Sequence, residues 1–248
     1  MHVGQSNWGT VESRSPALEV YLLGLVDFDS ALFLQERFVQ EISSRRDRQG
    51  VLLLCEHPPM VTVGRSGRSA ELAVGWDQLA HQGIPVRWIS RGGGCLVHLP
   101  GQLAVYCLLP LDRLGVGLSE FRRRLQAAAV CAAGEVKVPA LPCENPPGAC
   151  SRSGQFAFVG AAVRGWVSLH GFFLNVNLDM YRFRRFYRRE MARRMTSLEV
   201  ERQRATPMHA VRESVIRHLA QLFGYERSHI YSGHPLLRRT RRRIHAYA

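Results

Sequence analysis

Hydrophobic and polar positions along the chain follow two patterns, one typical of strands and one typical of helices. Short apolar runs predict strands over residues 18–25, 51–55, 60–63, 84–89 and 103–109. Apolar residues spaced three and four apart predict helices over residues 30–44, 76–82, 118–133 and 208–223, and Ser30 is the expected N-cap of the first. Helices and strands mix along one chain, which predicts an α/β fold, an α+β mixed sheet, in a single domain.

A hairpin pattern follows a stretch rich in loop-forming residues. Residues 140–154 contain many Pro, Gly, Ser and Cys, so we expect a loop there. The following pattern predicts a β-hairpin: a strand over Phe156–Val163, a turn at Arg164-Gly165, and return strands over residues 166–169 and 172–176. The domain is expected to span residues 17–230, between a loose leader (1–16) and a basic tail (231–248).

The composition predicts a sizeable core and a basic surface, and the sequence also indicates a cellular location. The chain has 248 residues, 46% of them hydrophobic, and a formal net charge of +13 in which Lys137 is the single lysine. This charge favours anionic partners. No apolar run reaches membrane length and the polar leader lacks a signal-peptide core, so we expect a cytoplasmic protein with no membrane partner. The six cysteines show no CxxC pair, which predicts reduced thiols and no metal site.

One glycine-rich stretch, RGGGCLVHLPGQL over Arg91–Leu103, carries candidate chemistry. Consecutive glycines let backbone N–H groups approach an anion or a carbonyl oxygen. Arg91 can add a charged donor, and His98 can act as an acid, a base or a donor. The alternative is an ordinary glycine turn beside a core histidine. The spacing fits neither a Rossmann fingerprint nor a P-loop.

Two further stretches carry polar residues within apolar surroundings. In Leu169–Asn177 the residues His170, Asn175 and Asn177 interrupt a strand pattern, and satisfying buried hydrogen bonds is the commoner reason for such residues. Glu56–Gly67 contains two prolines at a bend between strands. Taken alone, neither stretch indicates a function.

Together, in this order and spacing, the three stretches resemble the octanoyltransferases (lipoyl(octanoyl) transferases) of lipoate biosynthesis, which have the biotin/lipoate protein ligase fold. The resemblance covers about residues 18–224. It rests on family motif positions, namely Glu56–Pro59, Thr62, Gly64-Arg65, Arg91–Gly93, His98, Pro100–Leu103, Tyr106, Val159-Gly160, His170-Gly171, Leu174-Asn175 and Thr196–Leu198.

The resemblance implies an activity, partners and a binding site. Family members move an octanoyl group from acyl carrier protein to a lysine on the lipoyl domain of a 2-oxoacid dehydrogenase or a glycine cleavage protein. The group passes through a cysteine thioester assisted by a lysine, with no cofactor, and we expect a monomer. The implied acyl-pocket positions are Arg91, Gly92, Gly93, His98, Phe158, Val159, Gly160, His170, Gly171, Phe172 and Asn175.

The catalytic pair of the family is absent from this chain. Gln155 occupies the lysine position, and Arg188 occupies the cysteine position within RRFYRREMARRMTSL. Leu96 and Leu99 replace the usual Thr and Gly of the glycine-rich motif. Glutamine carries no charge to stabilise a thiolate, and arginine cannot act as a nucleophile. Cys95 and Cys150 are the candidate substitute nucleophiles.

Three hypotheses therefore follow from the sequence. The first is an octanoyltransferase that uses another nucleophile or transfers the acyl group directly. The second is a homologue without turnover that binds an acyl chain, acyl carrier protein or a lipoyl domain, and the missing pair favours it over the first. The third, a nucleic-acid-binding module, rests only on net charge and on arginine runs at residues 182–194 and 238–243, and basic segments of this kind are mostly solvated.

Overall fold

A mixed eight-stranded sheet forms the centre of the computed structural model, which describes residues 17–192 and 194–237. Its strand order is β11-β1-β2-β6-β10-β9-β8-β7, and a separate three-stranded sheet has the order β4-β3-β5. The strands are β1 (Ala17–Leu25), β2 (Gly50–Glu56), β3 (Met60–Val63), β4 (Val86–Trp88), β5 (Cys95–His98), β6 (Gln102–Leu108), β7 (Leu141–Glu144), β8 (Pro147–Cys150), β9 (Gln155–Arg164), β10 (Val167–Asn175) and β11 (Arg227–Ser232).

Helices and the small sheet cover the two faces of the large sheet. The helices are α1 (Phe28–Ser44), α2 (Trp76–His81), α3 (Leu118–Glu135), α4 (Met180–Arg185), α5 (Arg189–Ala192), α6 (Leu198–Arg202) and α7 (Met208–Phe223). One core cluster joins α3 and α7 to one face of the sheet. A second cluster joins α1 and the three-stranded sheet to the other face. This layered arrangement confirms the predicted α/β class with a mixed sheet.

Helix α1 begins earlier than its predicted cap. The carboxylate of Asp27 accepts the N–H of Ser30 at 2.9 Å, so Asp27 is the N-cap and Ser30 lies in the first turn. The predicted cap at Ser30 was therefore wrong by three positions. Of the residues expected on its apolar stripe, Leu34, Phe38, Val39 and Ile42 are buried, Leu32 is half-buried, and Phe33 was wrongly placed there because it is exposed.

The predicted loop over residues 140–154 was wrong, because it contains the antiparallel hairpin β7–β8. Strand β8 pairs with the first part of β9, in the register Ala149 to Ala157. Gly148 has no side chain, so its backbone can lie directly against the Ala157 carbonyl. Proline and glycine are tolerated here because this hairpin forms the edge of the sheet.

The predicted hairpin of β9 and β10 is present with a shifted turn. Gly165 and Trp166 are its two central residues, both with positive φ (54° and 62°), and Arg164 pairs with Val167. The two predicted return strands form the single strand β10, which continues through His170 although that residue has a φ of 63°.

Near the C-terminal end, β11 pairs in parallel with β1 and spans the expected domain boundary at residue 230. The arginine run at 238–243 and the leader at 1–16 lie outside the described residues. Among the described helices, none combines the length and apolar character needed to cross a membrane.

Candidate functional site

An apolar cleft of about 340 Å³ opens between the glycine-rich turn, strand β9 and helix α5. Its walls combine aromatic, aliphatic and methionine side chains with one arginine and one carboxylate. The lining residues central to its chemistry are Glu71, Arg91, Cys95, Phe158, Met191 and Met195. Such a cleft suits an apolar chain with a polar head group. The predicted pocket positions Arg91, Gly93, Phe158, Val159 and Gly160 line it.

Arg91 is a buried cation in this cleft, with 4% of its surface exposed. Its guanidinium donates to the Gly92 carbonyl at 3.0 Å and to the carbonyl and hydroxyl oxygens of Thr62 at 3.0 and 2.9 Å. Its Nε has no partner, and no described carboxylate lies within ion-pair distance. Burial lowers the pKa of Arg91 to about 10, so the group remains charged at neutral pH.

A directed chain of hydrogen bonds runs from Arg91 into the sheet. The Gln102 amide donates to Asn175 Oδ1 at 3.0 Å, which leaves Gln102 Oε1 to accept from His98 Nδ1 at 2.8 Å. Neutral His98 then has an unprotonated Nε2, which accepts from the Thr62 hydroxyl at 2.8 Å. That hydroxyl oxygen in turn accepts from Arg91, so every member of the chain has a defined role.

Burial holds His98 in its neutral form, because its pKa lies well below the ordinary value. At the far end of the chain, Asn175 donates to the Thr196 carbonyl at 3.0 Å, just after α5. His98 and Asn175 are fully buried and do not line the cleft. They connect the glycine-rich turn to the segment that carries α5, so their role in this geometry is to position Arg91 and Thr196.

His170, Gly171 and Phe172 lie in β10, behind the cleft. The His170 N–H donates to Gln35 Oε1 at 3.1 Å, and burial lowers the pKa of its imidazole to about 3. The Cα of Gly171 lies against the Val105 carbonyl, a space that a side chain would fill. These three predicted positions shape the sheet that supports the site, and Gly92 lines an adjoining groove.

The two positions of the family's catalytic pair are not brought together in the cleft. Arg188 is exposed and precedes α5, while Met191 and Met195 point into the cleft from the same segment. Gln155 is buried, and its amide donates to the carbonyls of Pro146 and Ala157 at 3.1 and 2.8 Å. Gln155 therefore stabilises the β8–β9 edge and does not face the cleft.

Cys95 reaches the cleft but lacks the surroundings of a reactive thiol. Its backbone N–H donates to Glu71 Oε2 at 2.7 Å, and its Sγ lies 3.4 Å from the Arg68 carbonyl oxygen. Burial and the Glu71 charge raise the pKa of the Cys95 thiol to about 11, so almost no thiolate exists at neutral pH. Cys150 lies on β8 opposite Gln155, outside the cleft lining.

Sequence reasoning missed Glu71, Leu96, Phe173, Met191 and Met195 as cleft-lining residues. Glu71 accepts the Arg68 N–H at 2.8 Å, but Arg68 stands where a capping box has Ser or Thr, so the sequence carried no signal for it. The others are apolar residues in apolar or charged stretches, and the sequence alone does not distinguish an apolar residue that lines a cleft from one in the core.

Comparison with known proteins agrees with this geometry. Residues 27–220 match the family model described as the lipoyl protein ligase A/B catalytic domain. The chain is 35% identical over 206 residues to an octanoyltransferase of Syntrophotalea carbinolica, covering 83% of this chain and 94% of that protein.

Two solved structures share the fold at low sequence identity. A bi-partite lipoate protein ligase from Thermoplasma acidophilum has a TM-score of 0.70 at 16% identity, over 87% of this chain and 88% of that one. A biotin protein ligase from Aquifex aeolicus has a TM-score of 0.50 at 15% identity, over 83% of this chain and 70% of that one.

Proposed function

Because the chain belongs to the octanoyltransferase family within the lipoyl protein ligase A/B group, we propose that it binds a medium-length acyl chain in the apolar cleft without a cysteine thioester. The observation that carries this proposal is the composition of the cleft. Apolar walls and Arg91 are retained, whereas the only cysteine lining the cleft has a raised pKa.

The acyl chain supplies the main part of the expected binding energy. Burying each CH₂ group contributes about 0.8 kcal/mol, so a seven-carbon tail contributes roughly 6 kcal/mol before association costs. Arg91 can donate to the carbonyl oxygen of the acyl group, because its charge has no anionic partner among the described residues. Without a thiolate beside that carbonyl, covalent transfer through the enzyme has no nucleophile.

Acyl carrier protein and lipoyl domains are the proposed partners. Five exposed arginines lie within a few residues of a cleft-lining residue in sequence: Arg65, Arg68, Arg188, Arg189 and Arg194. Positive charge of this kind attracts an acidic carrier and accelerates its association at low salt. All six cysteines are free thiols, which fits the reducing cytoplasm as the proposed location.

The test is incubation with octanoyl-acyl carrier protein, followed by intact-mass measurement and by a transfer assay to a lipoyl domain. We expect saturable binding of the carrier, no octanoyl adduct and no transfer. The Syntrophotalea carbinolica octanoyltransferase is the positive control. An adduct lost in Cys95→Ala or Cys150→Ala would assign a substitute nucleophile and refute the proposal, as would transfer without an adduct.

A further inference from the structure

The β7–β8 hairpin carries two of the six cysteines on one face. Cys143 lies in β7 and Cys150 lies in β8. Side chains of directly paired residues point to the same face of an antiparallel pair, and so do those of residues two apart on one strand. Cys143 is paired with Gly148, which is two positions before Cys150, so the two thiols are diagonal neighbours on the same face.

The two thiols contact each other and are open to small solutes. Burial raises the pKa of the Cys143 thiol, and a hydrogen bond with the Cys150 thiol raises it further. Both side chains are only half-buried, whereas structural cysteines are mostly buried fully. The other four cysteines comprise three that are buried and one that is exposed, namely Cys55, Cys95, Cys107 and Cys131. The hairpin therefore holds an accessible pair of adjacent thiols.

Two buried glutamine amides fix the register that keeps these thiols together. Gln126 Nε2, from α3, donates to the Cys143 carbonyl at 2.8 Å and to the Gly148 carbonyl at 3.3 Å, so one amide bridges the two strands. Gln155 Nε2 donates to the Pro146 carbonyl in the turn at 3.1 Å. A slip of one residue would turn Cys143 to the opposite face. Anchoring the hairpin from α3 and β9 prevents this slip.

The place of the hairpin at the sheet edge allows the thiols to approach further. Within the part of the chain that the structure describes, β7 pairs with β8 alone. Diagonal Cα atoms in an antiparallel pair are about 7–8 Å apart, whereas a disulfide has a Cα separation of about 4.4–6.8 Å. Closing a disulfide therefore requires the strands to move slightly together, which an edge strand can do without disturbing a second neighbour. A bond closed under such strain is easily reduced.

We propose that Cys143 and Cys150 form a site of reversible oxidation, at which a peroxide closes an intramolecular disulfide. The Cys150 thiolate attacks one peroxide oxygen, the O–O bond breaks, and Cys150 sulfenic acid and water form. The Cys143 sulfur then attacks the Cys150 sulfur, the S–OH bond breaks, and a second water leaves. The two thiols thus lose two electrons and two protons, which reduce one hydrogen peroxide to two waters.

Low-molecular-weight thiols reverse the step by thiol–disulfide exchange, in which they are themselves oxidised to a disulfide. The inference goes beyond the proposed function and does not depend on it, because neither thiol lines the acyl cleft.

The test treats the full chain with hydrogen peroxide, then denatures it, labels free thiols with N-ethylmaleimide and digests it with trypsin. Cleavage after Lys137 and Arg152 gives a peptide, 138–152, whose only cysteines are Cys143 and Cys150. Peptide 125–137 contains Cys131 alone and is the internal control. We expect peptide 138–152 to lose both labels, to become lighter by two hydrogen atoms, and to regain both labels after dithiothreitol.

Variants separate a paired site from two independent thiols. Cys143→Ser removes the resolving thiol, so peptide 138–152 should gain oxygen at Cys150 in place of losing hydrogen, and dithiothreitol should not remove a sulfinic acid. Cys131→Ser is the matched control and should still close the disulfide. Urea midpoints of both variants check that they fold.

The wild-type digest by itself decides the inference, so it remains testable even if a variant fails to fold. Two retained labels on peptide 138–152, at a peroxide concentration that oxidises Cys131, would overturn it. A disulfide that joins Cys150 to Cys131 or to a second chain would also overturn it, because the hairpin would then not be the site.

Discussion

Thr62→Val would interrupt the hydrogen-bond chain behind the cleft with almost no change in side-chain volume. The Thr62 hydroxyl is fully buried, accepts from Arg91 at 2.9 Å and donates to His98 Nε2 at 2.8 Å. The valine variant would leave the imidazole nitrogen without a donor and one guanidinium N–H without that acceptor. The apolar contacts of β3 should be retained, so the loss of stability measures the contribution of the hydrogen-bond chain alone.

Each buried polar group left unpartnered costs about 1–3 kcal/mol, so the two groups together should lower the free energy of unfolding by roughly 2–6 kcal/mol. That is a large share of the ~5–15 kcal/mol that stabilises a typical protein. At a denaturant slope of roughly 3 kcal/mol per molar urea, the midpoint should fall by about 0.7–2 M.

Urea denaturation followed by tryptophan fluorescence and by circular dichroism measures this shift. Thr206→Val is the matched control, since its hydroxyl makes only one long contact, at 3.4 Å, to the Arg204 carbonyl. The control should change the midpoint little. A Thr62→Val midpoint equal to that of the wild-type protein would show that the chain from Arg91 to Asn175 does not stabilise the fold as we argue.

Three further predictions concern pH, Gly160 and the predicted positions of the family's catalytic pair. Burial lowers the pKa of His57 to about 4 and of His170 to about 3, so the unfolded state binds more protons below pH 6.5. Stability should therefore fall by up to ~1.4 kcal/mol per pH unit per buried histidine between pH 6.5 and 5, above the carboxylate range. Urea midpoints measured across this pH window check this prediction, and His170→Asn should reduce the slope of stability against pH. A wild-type stability that does not change across the window would contradict it. Gly160→Ala should cost about 1–3 kcal/mol of stability and weaken the binding of N-ethyl octanamide, measured by calorimetry, because its Cβ would meet the Gly92 carbonyl oxygen at 2.8 Å. Unchanged affinity for this octanoyl amide would show that Gly160 is not part of the site. Arg188→Cys combined with Gln155→Lys should form no octanoyl adduct in intact-mass measurement, because one position is exposed and the other faces away from the cleft; an adduct would show that this segment rearranges.

Local sequence patterns predicted much of the fold. Helical spacing identified α1, α3 and α7 because each buries one face against the sheet, and apolar runs identified the central strands. The hairpin β7–β8 was missed because its Pro and Gly residues favour a loop locally, whereas pairing with β9 stabilises a strand. Strand β11 was missed because all of its residues are exposed, which removes the apolar signal on which strand prediction depends.

The sequence by itself determined the family motifs and the sheet-rich core, and it predicts Arg188 and Gln155 at the family's cysteine and lysine positions. Only the tertiary structure decided what the remaining motif residues do. His98 and Asn175 form a positioning chain behind the cleft, and the charged stretch around Arg188 exposes this arginine while Met191 and Met195 face the cleft. The physical reason is separation along the chain. Thr62 and His98 are 36 residues apart, and Gln102 and Asn175 are 73 apart, so their hydrogen bonds leave no trace in local periodicity.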